Sequence, residues 1–246
     1  MNKETCIFLD FDDTLVDSKE HGLQYVRALA MHLSEEQGGE IANWTKAIAT
    51  GIIGMKQRYL WYFNASNLEK FDLWMDIERV ATTMGIFQLA GSPYPESVNM
   101  LQYARDMQFK ALKTCQAAHA GVKPALEALR DSDIQMHAAS ANESEYLRGA
   151  FHGLGLEALI QVNFGPDLIN CAKEGQRYYV EIFKYLGLDP ERAIVVDDQI
   201  ECLDWAVQLG AQAIHANIGG NRDMSDYSTI THFSQLPSLV SQMRRG

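Results

Sequence analysis

The sequence lacks the features that mark membrane, secreted and zinc-binding proteins. No apolar stretch in the 246 residues approaches the roughly 20 that a membrane-spanning helix requires. The N-terminal segment reaches carboxylates too soon to contain the apolar centre of a signal peptide. The four cysteines lie far apart and form no Cys-x-x-Cys pair, which argues against a zinc or redox motif. We therefore expect a cytoplasmic protein without a membrane partner.

Basic residues are also scarce. The sequence has 21 lysines and arginines against 32 aspartates and glutamates, so its formal net charge is -11. Because this surplus repels phosphate backbones, we expect no nucleic-acid partner. The hydrophobic fraction of 47% and the charged fraction of 22% are ordinary for a globular protein, which excludes a disordered or collagen-like chain. Composition leaves the oligomeric state open.

The hydrophobic pattern divides the chain. Residues 6–9 form a short apolar run that ends in Asp10, which is typical of a buried parallel strand. No strand pattern interrupts residues 19–115, where apolar residues recur at helical spacing. From about residue 120 the pattern instead predicts alternating elements: helix 122–130, strand 134–139, helix 143–154, strand 159–164, helix 176–186, strand 193–196, helix 201–209 and strand 211–216.

This alternation predicts an α/β fold with a Rossmann-like parallel sheet flanked by helices. We assign residues 1–18 and 116–246 to the α/β core and residues 19–115 to an inserted all-helical domain. An insertion after the first strand lies above the carboxyl ends of the strands, where ligands bind in such sheets. The inserted domain is therefore expected to form a cap over the site.

Two carboxylates follow the first predicted strand. Asp10 and Asp12 are two residues apart, so in an extended chain their side chains leave the same side of the backbone. Crowded carboxylates repel each other and need a cation, a shared proton or solvent. Mg²⁺ suits them, because it prefers oxygen ligands and binds carboxylates together with a substrate phosphate. The alternative is that these aspartates cap a solvated loop.

Further polar side chains follow other predicted strands. Asp197 and Asp198 end the strand that begins at residue 193, which supplies a second acidic pair for the same sheet edge. Ser140 and Asn142 follow the strand that ends at residue 139 and provide a hydroxyl and an amide there. Lys173 lies shortly before a predicted helix, near the same edge. This convergence favours a metal site over unrelated loops.

The order of these segments resembles a known family. The Asp-x-Asp-x-Thr segment from Asp10, then Ser140, Lys173 and the Asp197-Asp198 pair are similar to the four ordered motifs of the haloacid dehalogenase-like hydrolases. The resemblance covers residues 6–18 and about 119–216. The insertion between them resembles that family's helical cap.

The resemblance implies a role for each motif residue. Asp10 would be the nucleophile that forms an aspartyl-phosphate, and Asp12 the general acid and base. Ser140 and Lys173, with Asn142, would hold the phosphoryl oxygens. The Mg²⁺ cofactor would be bound by Asp10, by the backbone carbonyl of Asp12, and by Asp198 with help from Asp197.

Asp12 directs the interpretation towards phosphate chemistry. The dehalogenases of the family lack an acid two residues after the nucleophile, because a halide leaves without a proton, so this sequence resembles the phosphatase branch. We expect a phosphoric monoester hydrolase acting on a small phosphorylated substrate. Two alternatives stay open: a phosphomutase of the same fold, and a non-catalytic member that binds a phosphorylated ligand or a protein.

The sequence departs from the family pattern at two places. Glu174 follows Lys173 where many relatives have proline, and no further aspartate stands four or five residues after Asp198. We expect substrate specificity to depend mainly on residues of the cap. In the predicted cap, Lys56 and Arg58 are candidate substrate contacts beside a possible helix break.

Overall fold

The computed structural model describes residues 5–64, 71–96, 98–220 and 225–244, and for residues 60–64 it describes the backbone only. Its strands are β1 (Cys6–Leu9), β2 (Gln135–Ala139), β3 (Asn163–Phe164), β4 (Ala193–Asp197), β5 (Gln212–Ala216) and β6 (Ser228–Ile230). Its helices are α1 (Ser18–Gln37), α2 (Ile41–Asn64), α3 (Phe71–Ala90), α4 (Met100–Leu112), α5 (Val122–Arg130), α6 (Ser144–Leu154), α7 (Pro166–Ile169), α8 (Gln176–Leu186), α9 (Ile200–Val207) and α10 (Leu236–Met243).

The strands form one parallel sheet in the order β3-β2-β1-β4-β5-β6. Side chains alternate between its two faces, as the strand period of two requires. From β1, Ile7 and Leu9 enter a core shared with α5, α6 and α10, whereas Cys6 and Phe8 enter a second core shared with α8 and α9. Helices therefore cover both faces, and the predicted α/β fold with a Rossmann-like sheet is confirmed.

The region between β1 and α5 is helical. None of its described residues forms a strand within 19–115. A third core, which includes Leu33, Trp44, Ile48, Phe87 and Met107, joins α1 to α4. These helices pack on one another through that core, as expected for an inserted helical domain.

The chain leaves and re-enters the sheet region through paired backbone segments. Val16 and Ala118 form an antiparallel bridge. The NH of Asp17 donates to the carbonyl of Ala117 at 3.0 Å, and the NH of His119 donates to that of Leu15 at 2.9 Å. Asp17 also caps α1 by accepting from the NH of Glu20. The division of the chain at residues 18 and 116 stays a prediction.

Several elements differ from the sequence expectation: the short helix α7 was not predicted, and α2 continues through Gly51 and Gly54, where a helix break was expected. The strand predicted at 159–164 is reduced to β3. Leu159 is the last residue of a 3₁₀ turn, and its side chain is buried in that conformation and not in a strand. α10 and β6 were not expected. β6 is a polar edge strand whose first two residues are exposed, so it lacks an apolar run. No helix in the described part of the chain has the length and hydropathy needed to cross a membrane.

Candidate active site

The site forms where β1 and β4 end side by side. Asp10 follows β1, and its NH donates to the carbonyl of Val196 at 2.9 Å. Lys173 places its Nζ 2.6 Å from Oδ1 of Asp10 and 2.7 Å from Oδ2 of Asp197. The same Nζ donates to the carbonyl of Ala139 at 3.0 Å, at the end of β2. One buried ammonium group therefore joins the ends of three strands.

Three carboxylates lie together at this edge of the sheet. Asp10, Asp197 and Asp198 are buried, and each offers an oxygen within 4.8 Å of the others. Desolvation raises the pKa of Asp10 well above its ordinary value. The negative charges of Asp197 and Asp198 raise this pKa further, whereas the positive charge of Lys173 lowers it. The pKa of Lys173 is also raised, since Asp10 and Asp197 outweigh its desolvation. Three carboxylates against one ammonium leave negative charge that a bound cation would neutralise.

Neighbouring polar groups orient the acidic pair. Thr14 accepts the NH of Asp198 at 3.0 Å, and its hydroxyl lies 3.4 Å from the Asp198 carboxylate. His215, the partner of Asp197 in the parallel register, places Nε2 3.2 Å from the carbonyl of Asp198. Asp197 accepts the NH of Gln199 at 2.9 Å on the oxygen that does not face Lys173. The pair is therefore held by backbone and side-chain bonds.

Asp12 lies beside the segment that follows β2. Asn142 donates from Nδ2 to Oδ2 of Asp12 at 2.7 Å, and its backbone NH donates to Oγ of Ser140 at 3.1 Å. Burial raises the pKa of Asp12, while the hydrogen bond from Asn142 and the charge of Lys173 act in the opposite direction. A carboxyl with a raised pKa retains protons to higher pH, which suits a group that must donate one. The structure thus brings Asp12, Ser140 and Asn142 together.

Tyr178 is a site-supporting residue that sequence reasoning missed. Its hydroxyl, on α8, lies 3.0 Å from the carbonyl of Ser140 and 2.7 Å from that of Phe164. It therefore holds the end of β2 against the end of β3. Its place in the apolar stripe of an amphipathic helix gives no sequence signal of this contact. Lys173 reaches its carboxylates although glutamate follows it, and the NH of Glu174 donates to the carbonyl of Ala172.

The two predicted cap contacts behave differently. Lys56 is exposed on α2, and its charge weakly opposes the burial that raises the pKa of Asp12. Arg58 instead donates to the Glu78 carboxylate at 2.6 Å and to the Thr82 hydroxyl at 3.0 Å, both on α3. The structure therefore does not bring Arg58 to the acidic cluster, and a substrate contact by either residue stays a prediction.

Comparisons with known proteins agree with this geometry. A family model described as haloacid dehalogenase-like hydrolase matches residues 4–204. Comparison with curated protein sequences gives no match.

Solved structures share the whole architecture. A 2-haloacid dehalogenase from Pseudomonas syringae is 18% identical with a TM-score of 0.66, and covers 97% of this chain and 99% of its own. A haloacid dehalogenase-type phosphatase from Thermococcus onnurineus is 19% identical with a TM-score of 0.57, covering 96% and 97%. A hydrolase of that type from Bacillus subtilis, bound to magnesium, is 14% identical with a TM-score of 0.60, covering 97% and 99%. Identities this low establish the fold alone.

Proposed function

The chain belongs to the haloacid dehalogenase-like hydrolases, and we propose that within this family it is a Mg²⁺-dependent phosphatase of small phosphorylated metabolites. The observation that carries the proposal is the second acid, Asp12, which Asn142 holds at the strand edge where Asp10 lies. Structures similar to this chain include both dehalogenases and a phosphatase, so overall similarity does not separate the two activities. A halide leaves without a proton, whereas the oxygen of a phosphate ester leaves more readily when an acid protonates it.

The first half of the proposed reaction transfers the phosphoryl group to the protein. An oxygen of Asp10 attacks phosphorus, and the bond from phosphorus to the ester oxygen breaks with its electron pair going to that oxygen. Asp12 donates its proton to this oxygen, and an alcohol leaves. Lys173, Ser140 and Asn142 hold the transferring oxygens by charge and hydrogen bonds. The products of this half are an aspartyl-phosphate and the Asp12 carboxylate.

The second half restores the protein. Asp12, now a carboxylate, takes a proton from water while the water oxygen attacks phosphorus. The bond between phosphorus and the Asp10 oxygen breaks, its electron pair returns to Asp10, and inorganic phosphate leaves. Asp12 is again protonated and Asp10 is again a carboxylate, so the site is ready for another substrate.

The donor set fits Mg²⁺. Asp10, Asp197 and Asp198 offer hard oxygen ligands, and the cluster carries more negative charge than Lys173 balances. When bound, Mg²⁺ would neutralise charge on the phosphoryl group during transfer. The magnesium found in the Bacillus subtilis hydrolase supports this assignment.

The test is phosphate release from a panel of phosphorylated metabolites by the purified protein with Mg²⁺, beside halide release from 2-haloacids. We expect inorganic phosphate and no halide. Asp12→Asn is expected to lower phosphate release by about 10²-fold or more, the usual share of a general acid. Halide release without phosphate release would overturn the proposal, as would full phosphatase activity of Asp10→Asn. Transfer of the phosphoryl group to a second sugar hydroxyl, with no free phosphate, would indicate a mutase instead.

A further inference from the structure

Two arginines of the helical region bind two glutamates of the sheet region, at the point where α6 begins. Arg79 on α3 pairs with Glu143 through Nη2, and the two side chains are 10% and 11% exposed. Arg105 on α4 lies with its Nε 3.1 Å from Glu145, and these side chains are 33% and 39% exposed. The first pair is therefore buried and the second is open to solvent.

The buried pair is held firmly on its helical side. Arg79 also donates from Nη1 to Oε1 of Gln108 on α4 at 2.5 Å. Its guanidinium thus links α3 to α4 and to Glu143 at once. Arginine suits this task because its planar group presents several donors in fixed directions.

Glu143 is the residue before α6, yet its side chain does not cap that helix. Asp167 takes over this function by accepting the NH of Ser144 at 2.8 Å. An acidic residue at a helix start ordinarily serves its own backbone. Here the Glu143 carboxylate accepts a hydrogen bond from Arg79 instead. This carboxylate therefore connects α6 to α3 and does not stabilise the start of its own helix.

The role of this connection follows from the neighbouring residue in the chain. Glu143 is joined by one peptide bond to Asn142, whose side-chain amide donates to Asp12 at 2.7 Å. Asn142 also donates its backbone NH to Ser140. An anchor at Glu143 restricts the backbone at Asn142, and so fixes the direction from which the amide holds the Asp12 carboxyl.

We infer that Arg79 is a positioning residue that acts through Glu143 and Asn142 to hold Asp12 in place for proton transfer to the leaving group. The inference rests on the proposed function, since it concerns the acid of that reaction. It also makes the position of α3 a condition for the acid to act, because the anchor forms only when α3 lies against the start of α6. Arg105 lacks this direct connection, because its partner Glu145 is the second residue of α6 and stands three positions after Asn142.

Leaving groups of different quality distinguish positioning from general support of the fold. p-Nitrophenyl phosphate has a leaving group that needs little protonation, whereas a simple alkyl phosphate depends on the acid. Loss of the Arg79 contact should therefore slow alkyl phosphate hydrolysis far more than p-nitrophenyl phosphate hydrolysis. A fold defect would slow both by the same factor.

The experiment measures kcat and KM for both substrates with Arg79→Gln in the Mg²⁺-loaded full chain. We expect kcat/KM for the alkyl phosphate, which reports the first half of the reaction, to fall by about tenfold or more, a part of the acid's usual contribution. The kcat/KM for p-nitrophenyl phosphate should fall by less than about threefold. The second half, in which Asp12 acts on water, is common to both substrates and enters kcat alone. Asn142→Ala should slow both substrates, because Asn142 also holds a transferring oxygen, and should slow the alkyl phosphate more. Arg105→Gln is the matched control and should change neither substrate's kcat/KM. Arg79→Lys, which keeps the charge, should restore part of the alkyl phosphate rate.

Folding of the variants is checked by thermal unfolding. Burial raises the pKa of Glu143 to about 7, against the attraction of Arg79, so the carboxyl can take up a proton when the arginine is removed. If Arg79→Gln still fails to fold, the double variant Arg79→Met with Glu143→Leu removes both charges and replaces it in the assay. The same substrate selectivity is expected of this double variant.

Two results would overturn the inference. One is an equal loss of kcat/KM on both substrates, or no loss, in the Arg79 variants while Asp12→Asn shows selective loss of kcat/KM on the alkyl phosphate. The other is selective loss of kcat/KM in Arg105→Gln as large as that in Arg79→Gln. An equal loss of kcat/KM on both substrates in Asp12→Asn would instead refute the acid role in the proposed function itself, and the inference with it.

Discussion

Replacing Lys173 by methionine tests whether this lysine balances the buried carboxylates. Its side chain is 5% exposed, and its ammonium lies 2.6 Å from Asp10 and 2.7 Å from Asp197. Methionine fills a similar volume but carries no charge. The variant therefore leaves both carboxylates without their ammonium partner, in surroundings where water cannot compensate.

The size of the effect follows from burial. Removing one partner of a buried ion pair costs about 3–5 kcal/mol, because the remaining charge is uncompensated. The raised pKa of Asp10 limits this cost, since the carboxyl can take up a proton in the variant. We therefore expect the lower part of that range, which corresponds to a fall in Tm of roughly 6–12 °C for a chain of this size. The difference in Tm should narrow as the pH is lowered, because protonation of the carboxylates removes the repulsion.

The measurement is thermal unfolding near neutral pH with a metal chelator present. Lys184→Met is the matched control, because Lys184 is 77% exposed and lies 3.6 Å from Glu181. Exposed pairs contribute about 0.2–1 kcal/mol, so the control should shift Tm by no more than about 4 °C. Added Mg²⁺ should raise the Tm of Lys173→Met more than that of the wild type. A Lys173→Met Tm within the range of the control would refute the view that this lysine balances buried charge.

Three further substitutions give simpler expectations. Asp10→Asn should abolish phosphate release while the circular dichroism spectrum stays unchanged, because an amide does not attack phosphorus. Phosphate release at the wild-type rate would exclude Asp10 as the nucleophile. Thr14→Val should destabilise the fold by about 1–3 kcal/mol and weaken Mg²⁺ binding in titration calorimetry, since the buried NH of Asp198 loses its acceptor. Burial lowers the pKa of His137 to about 4, so protonation below its usual pKa opposes folding and should cost about 2 kcal/mol at about pH 5. In denaturant unfolding His137→Phe should lose less stability than the wild type between neutral pH and that pH, and an identical loss would contradict the assignment.

The fold was accessible from sequence wherever burial and periodicity coincide. The helices 122–130 and 176–186 were predicted with the bounds that the structure shows, because both are strongly amphipathic and end before a loop. Strand 159–164 was predicted from its apolar residues. Leu159 and Ile160 are indeed buried, but Leu159 lies in a 3₁₀ turn and Ile160 directly follows it, so the apolar pattern arises there without strand pairing. Hydrophobicity reports burial, and burial alone does not distinguish a strand from a packed turn.

Other elements were missed for different reasons. β6 consists of Ser228, Thr229 and Ile230 and pairs only through its backbone with β5, so no apolar run marks it. α10 did carry a signal, because Leu236, Leu239, Val240 and Met243 recur at helical spacing against the sheet core. This helix could have been predicted from the sequence.

The site residues that stand at strand ends could be predicted from the sequence. Asp10, Ser140 and Asp197 each stand at the end of a strand or directly after it, and parallel strands bring such ends to one edge. The sheet order adds what the sequence order cannot, since β1 lies between β2 and β4 and so places Asp10 between the other two. Lys173 reaches the cluster from a loop, and its position depends on how that loop packs.

The contacts that tie the helical region to the site have no sequence signal at all. Arg79 and Glu143 lie 64 positions apart on elements with unrelated patterns, and an arginine on a partly exposed helix is ordinarily a surface residue. Only the packing of α3 against the start of α6 makes them partners. If the acid at Asp12 depends on that packing, then substitutions on the helical region can change the chemistry without touching the substrate. Sequence comparison confined to the four motifs would miss such substitutions, because every motif residue would be intact.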